Sequence, residues 1–144
     1  MRSPDRSARV LFWSGLAGVA IAAYLTVAHY ADAPLVCIEG ALVDCGAVTA
    51  SSFSLVPGTS VPVAAAGLGW SLGSVALAAL ALVERAPAWV PAAHFAWAAA
   101  ALAGVLYLVY AEIVVIGRIC EWCTLWHVVV LVTFVVALRR LQEA

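Results

Sequence analysis

Cys120-Glu121-Trp122-Cys123-Thr124-Leu125-Trp126-His127 opens a run that stays uncharged from Thr124 to Leu138 and closes at Arg139-Arg140. Counted from Cys120, the run is long enough to cross a bilayer as a helix rising about 1.5 Å per residue. On such a helix Cys120, Cys123 and His127 stand at i, i+3 and i+7 and share one face. Two thiols one turn apart can close a small disulfide loop. The helix N-terminus favours thiolate at the first of them, and Glu121 opposes that effect. The stretch reads as a redox pair at a membrane surface.

The rest of the composition agrees with a membrane setting. Of the 144 residues, 66% are hydrophobic and 10% charged, against about 25% charged in an ordinary soluble domain. A chain this apolar cannot cover itself with a polar surface, so the expectation is an integral membrane protein of one domain. A net charge of −1 without a basic cluster argues against nucleic acid. All seven basic residues are Arg, which points to a GC-rich bacterial genome.

Four apolar runs give an all-α, four-helix transmembrane bundle with spans near 10–30, 62–83, 92–116 and 120–138. The first run is longer than the roughly 7–15 apolar residues of a cleavable signal peptide and is read as a retained span. Residues 31–61 form the one substantial loop, and within it Cys45 to Leu55 can make a short helix ended by Pro57-Gly58. Gly69-x-x-x-Gly73 suggests close packing of the second span. Arg2, Arg6, Arg9, Arg85, Arg139 and Arg140 fall on one side of this layout, and only Arg118 lies opposite. The positive-inside rule therefore puts both termini in the cytoplasm of a bacterial inner membrane. Trp13, Trp89, Tyr30, Tyr110 and Trp122 are expected near the interfaces. All four cysteines then lie on the extracytoplasmic, oxidising side.

The spacing separates Cys37 and Cys45, in the loop, from Cys120 and Cys123, on a membrane helix. A redox relay needs an outside acceptor, and a pair at the lipid boundary suits a bilayer-dissolved quinone, menaquinone or ubiquinone. His127 is either a packed histidine or a donor to a quinone oxygen, and Ser51 or Ser52 would serve the other side if the loop helix folds over the bundle. Glu112 is read as an interfacial carboxylate or a proton conduit. Trp122 and Trp126 are read as anchors that can also line a quinone site. Two other classes compete: a non-catalytic scaffold stapled by two disulfides, and a Cys/His metal carrier. No metal is expected in the relay reading.

With these elements in hand the chain resembles the vitamin K epoxide reductase family in its bacterial form. The resemblance rests on four spans, Cys37…Cys45, Ser51 six residues on, the Gly58-to-Pro62 segment, and Cys120-Glu121-Trp122-Cys123 at the start of the fourth span. It implies a quinone-dependent thiol oxidoreductase supporting disulfide formation, in which Cys123 reacts with quinone and Cys120 exchanges with Cys45. Cys37 would exchange with a thioredoxin-fold (DsbA-like) periplasmic partner, and Ser51 would stand near the quinone. His127 takes the place of a tyrosine in the animal enzymes, which favours quinone rather than epoxide as substrate. Some bacterial relatives carry a fused thioredoxin-like domain, so a chain ending at Ala144 is expected to use a separate partner.

Overall fold

The computed structural model describes residues 6–144, so the expectation placed on Arg2 lies outside the described residues. Its four long helices are α1 Arg6–Tyr30, α3 Val63–Leu82, α4 Val90–Tyr110 and α5 Glu121–Glu143. The short α2 Cys45–Thr49 and a 3₁₀ turn Ser52–Ser54 lie between α1 and α3, and a π-helical turn Ala111–Ile116 prolongs α4. Each long helix is long and apolar enough to cross a membrane. The protein is a multi-pass, all-helical membrane protein. Among the described residues the only β-type pairings are two isolated bridges, Val43 with Ile119 and Leu55 with Pro62.

Boundaries follow local chemistry. Pro62 occupies the N-cap of α3, where its missing N–H costs nothing. Pro91 sits in the first turn of α4. The expected helix over Cys45 to Leu55 is broken into two pieces. Asp44 caps the first by accepting from the Ala47 N–H at 2.9 Å. Ser51 and Ser54 then divert their hydroxyls to nearby carbonyls, which favours turns over a continuous helix.

Close packing is built from small residues, and of the pair the sequence suggested only Gly73 takes part. A Cβ on Gly18 would stand 2.9 Å from Ser71 Oγ, and one on Gly15 would stand 2.9 Å from Val75 Cγ2. These α1 glycines let α1 and α3 approach, as small residues do between membrane helices. Gly69 faces open space, and Gly73 meets the Trp97 ring of α4 rather than a helix backbone. The α3–α4 seam has a reciprocal staple: the indoles of Trp70 and Trp97 each donate to the other's carbonyl at 3.0 Å. Of the aromatics assigned to the interfaces, Trp13, Tyr30, Trp89 and Tyr110 are exposed. Trp122 is the exception, half-buried beneath the loop.

The 31–62 segment folds over the end of the bundle that carries Cys120. The Ile119 N–H donates to the Leu42 carbonyl at 2.8 Å, and the Asp44 N–H donates to the Ile119 carbonyl at 3.0 Å. Arg118 donates to the Ala41 carbonyl. These bonds tie the two cysteine-bearing segments side by side.

Candidate functional site

Cys37 and Cys45 are joined by a disulfide, and Cys120 and Cys123 are free thiols. Cys45 begins α2 and is fully buried, packed in one apolar cluster with Val48 and Cys120. Cys37, Cys123, Trp122 and Ile116 border that cluster. The two pairs therefore meet at a single point, with Cys45 and Cys120 at its centre.

Cys120 is not on the helix face that the spacing suggested. It is the N-cap of α5, in extended backbone, and its Sγ accepts from the Cys123 N–H at 3.2 Å. A sulfur here replaces the usual capping oxygen. The Cys123 thiol and backbone donating to Cys120 Sγ hold the Cys120 thiol below its usual range, although burial and Glu112 push the other way. The tuned thiol therefore arises from local hydrogen bonds at a helix start.

Beside this junction lies a cavity of about 830 Å³, within the size range of small-molecule sites. Cys123 lines it and Cys120 does not. Below Cys123 the wall is Trp126 and His127, and across it stand Ser51, Ser52, Phe53 and Ser54 from the folded-over loop. His127 is buried. Ser51 Oγ already donates to the Val48 carbonyl at 2.7 Å, so what it offers the cavity is acceptor capacity. Ser52 is exposed at the rim.

Trp126 is fixed from behind. Its indole N–H donates to Ser71 Oγ at 3.1 Å, and Ser71 donates to the Gly67 carbonyl at 2.8 Å. Gly67 lets that ring lie close: a Cβ would stand 3.1 Å from the Trp126 ring.

Two sequence expectations change. Glu112 is not an exposed interfacial carboxylate: it is 6% exposed, lines the cavity, and accepts from the Cys120 N–H at 3.4 Å. Its carbonyl is held in turn by the N–H groups of Gly117, at φ 70°, and Arg118. Trp122 does not line the cavity; its indole donates to the Val36 carbonyl at 2.6 Å and its ring tilts against Tyr24. Sequence reasoning missed Ser71 and Gly67, and it missed His29, Asp32 and Ser60 on the cavity wall. Ser71 was legible in principle, four residues after Gly67 on a helix crowded with small residues. Among the described residues no group of three or more His, Cys, Asp or Glu side chains gathers as metal ligands do.

A family model described as the vitamin K epoxide reductase family matches residues 9–138. Comparison with curated proteins found no match.

Proposed function

The chain therefore belongs to the vitamin K epoxide reductase family of membrane thiol oxidoreductases, and from that premise we propose that it reduces a membrane quinone with electrons relayed from a thioredoxin-fold partner. One observation carries this reading: Cys123 opens onto the cavity while its neighbour Cys120 packs against Cys45. A pair divided in this way has one thiol for a small substrate and one for the other cysteine pair.

The steps follow from that division. A partner dithiol attacks the Cys37–Cys45 disulfide at Cys37, the half-buried member. The partner's second thiol then attacks the resulting mixed disulfide, so that the partner leaves as its own disulfide and Cys37 is freed as thiolate. Released Cys45 attacks Cys120 of an oxidised Cys120–Cys123 pair. The Cys45–Cys120 bond forms, the Cys120–Cys123 bond breaks, and Cys123 leaves as thiolate. Cys37 then attacks Cys45, restoring the loop disulfide and freeing Cys120. The membrane pair now holds two electrons, the state of the cysteines described above. Quinone takes those two electrons with two protons, giving quinol and the Cys120–Cys123 disulfide. His127 and the Ser51–Ser54 segment are suited to contact the quinone oxygens, and Trp126 to flank its ring. Glu112, buried beside both the cavity and Cys120, is suited to carry a proton between thiol and quinone. The orientation consistent with the arginines puts both termini in the cytoplasm and the cysteines outside.

The test is anaerobic quinone reduction by the purified protein in detergent with a dithiol donor. Wild type turns over and Cys123→Ala does not. Cys37→Ala loses activity with a protein partner and keeps it with a small dithiol that can enter the cavity. Folded wild-type protein inert toward menaquinone and ubiquinone alike would overturn the reading.

A further inference from the structure

The two residues inside the C-x-x-C reach out of α5 and grip the loop on either side of Cys37. Trp122 donates its indole N–H to the Val36 carbonyl at 2.6 Å. Glu121 Oε1 accepts from the Ile38 N–H at 3.1 Å. The peptide groups flanking Cys37 are therefore held by the residues that separate Cys120 from Cys123. A third bond closes the grip: the Val36 N–H donates to the Tyr24 hydroxyl at 2.9 Å. The Tyr24 and Trp122 rings also pack at 4.9 Å. The segment around Cys37 has no ladder or helix of its own, and the side chains of Val36 and Ile38 point outward, 77% and 83% exposed. Besides the disulfide and the packing of Leu35 against the Cys45 cluster, what holds this segment in place is its backbone bonding to Glu121, Trp122 and Tyr24.

Cys45 is secured independently, by the Val43–Ile119 bridge and the Asp44 cap. Cys45 thus stands at the fixed centre, with Cys120 packed on one side and Cys37 bonded on the other.

We propose that Glu121 and Trp122 are positioning residues that hold Cys37 against Cys45. They make the exchange between the two pairs end in the Cys37–Cys45 disulfide instead of stalling at Cys45–Cys120. This inference rests on the relay described above and adds to it an internal return spring, built into the C-x-x-C itself. The step it governs is balanced: the Cys37 thiolate attacks Cys45 Sγ, the Cys37–Cys45 bond forms, the Cys45–Cys120 bond breaks, and Cys120 leaves as thiolate. No electrons enter or leave.

That step can be read as an equilibrium. In Cys123→Ser, three cysteines share one disulfide, which isomerises between Cys37–Cys45 and Cys45–Cys120. The ratio is read by alkylation at low pH and peptide mass spectrometry on the full-length protein in detergent. The expected result is that Cys37–Cys45 dominates in Cys123→Ser alone. Adding Glu121→Ala or Trp122→Phe shifts the ratio toward Cys45–Cys120 by about fivefold each, the effect of one net hydrogen bond. Glu121→Gln keeps an acceptor for the Ile38 N–H and holds the original ratio, an outcome that loss of charge or general loosening of α5 would not give. Trp122→Phe keeps a ring against Tyr24, so a shift there isolates the indole bond. An unchanged ratio in both variants overturns the clamp while leaving the relay standing. A Gln variant that shifts as far as the Ala variant overturns it too. Failure to detect Cys45–Cys120 in any variant overturns the relay, and the clamp's role falls with it.

Discussion

Ser71→Ala is the sharpest small perturbation this architecture offers. Ser71 is completely buried on α3, accepts from the Trp126 indole of α5 at 3.1 Å, and donates to its own helix at Gly67. Removing the hydroxyl leaves the Trp126 N–H facing an alanine methyl. A stranded donor costs about 1–3 kcal/mol in a dry interior, whereas interhelical hydrogen bonds in membranes average about 0.6 kcal/mol and reach about 1.7. Trp126 is half-buried and borders the cavity, where water can reach it. The low end therefore governs, and about 1 kcal/mol is expected. The discriminating assay is a double-mutant cycle of Ser71→Ala with Trp126→Phe, followed by unfolding in mixed micelles of denaturing and mild detergent. A coupling energy of about 0.5–1.5 kcal/mol is expected. Coupling indistinguishable from zero would refute the claim that this bond fixes the cavity wall.

Two further outcomes follow from buried groups. His94 is 1% exposed, and neither ring nitrogen has a hydrogen-bond partner. His94→Leu, close in volume and free of that desolvation cost, is expected to leave stability unchanged or raise it by about 1–2 kcal/mol, measured by the same unfolding assay. The Cys120 thiol is held below its usual range first of all by hydrogen bonding from Cys123. Its folded-state value is depressed, so its contribution to stability is full above the unfolded thiol value and is lost as pH falls through the folded one. With only Cys120 left to report as a free thiol, ultraviolet thiolate absorbance is expected to titrate at lower pH in Cys123→Ser, which keeps a donor, than in Cys123→Ala.

The four spans were legible because apolar length is a coarse signal that survives without periodicity. Helix faces were not. Lipid is as apolar as the bundle interior, and α3 is nearly as hydrophobic on one side as on the other. Nothing in the sequence contrast marked Gly15 and Gly18 as the α1–α3 seam, or Gly69 as the member of its pair that packs against nothing. That the two cysteine pairs would share one end of the bundle was readable from the four-span layout. That Cys120 would cap α5 instead of joining its face was not, because the residue before it pairs with Val43, far away in the sequence. What Trp122 anchors was hidden for a related reason: its partner is a carbonyl 86 residues earlier, and no local pattern reports that. Glu112 left a fainter trace. Ala98, Val105 and Glu112 follow at seven-residue steps, and all three are buried. A carboxylate in register with two inward positions signals an inward carboxylate.

The most direct measurement of the central claim is a single turnover with the loop disulfide intact and the Cys120–Cys123 pair reduced. One equivalent of quinone is added anaerobically, and quinol and cysteine pairing are counted together. The account predicts one quinol for each new Cys120–Cys123 disulfide, with Cys37–Cys45 unchanged, and neither product in Cys123→Ala. Quinol formed without that disulfide, or formed equally in Cys123→Ala, would contradict it.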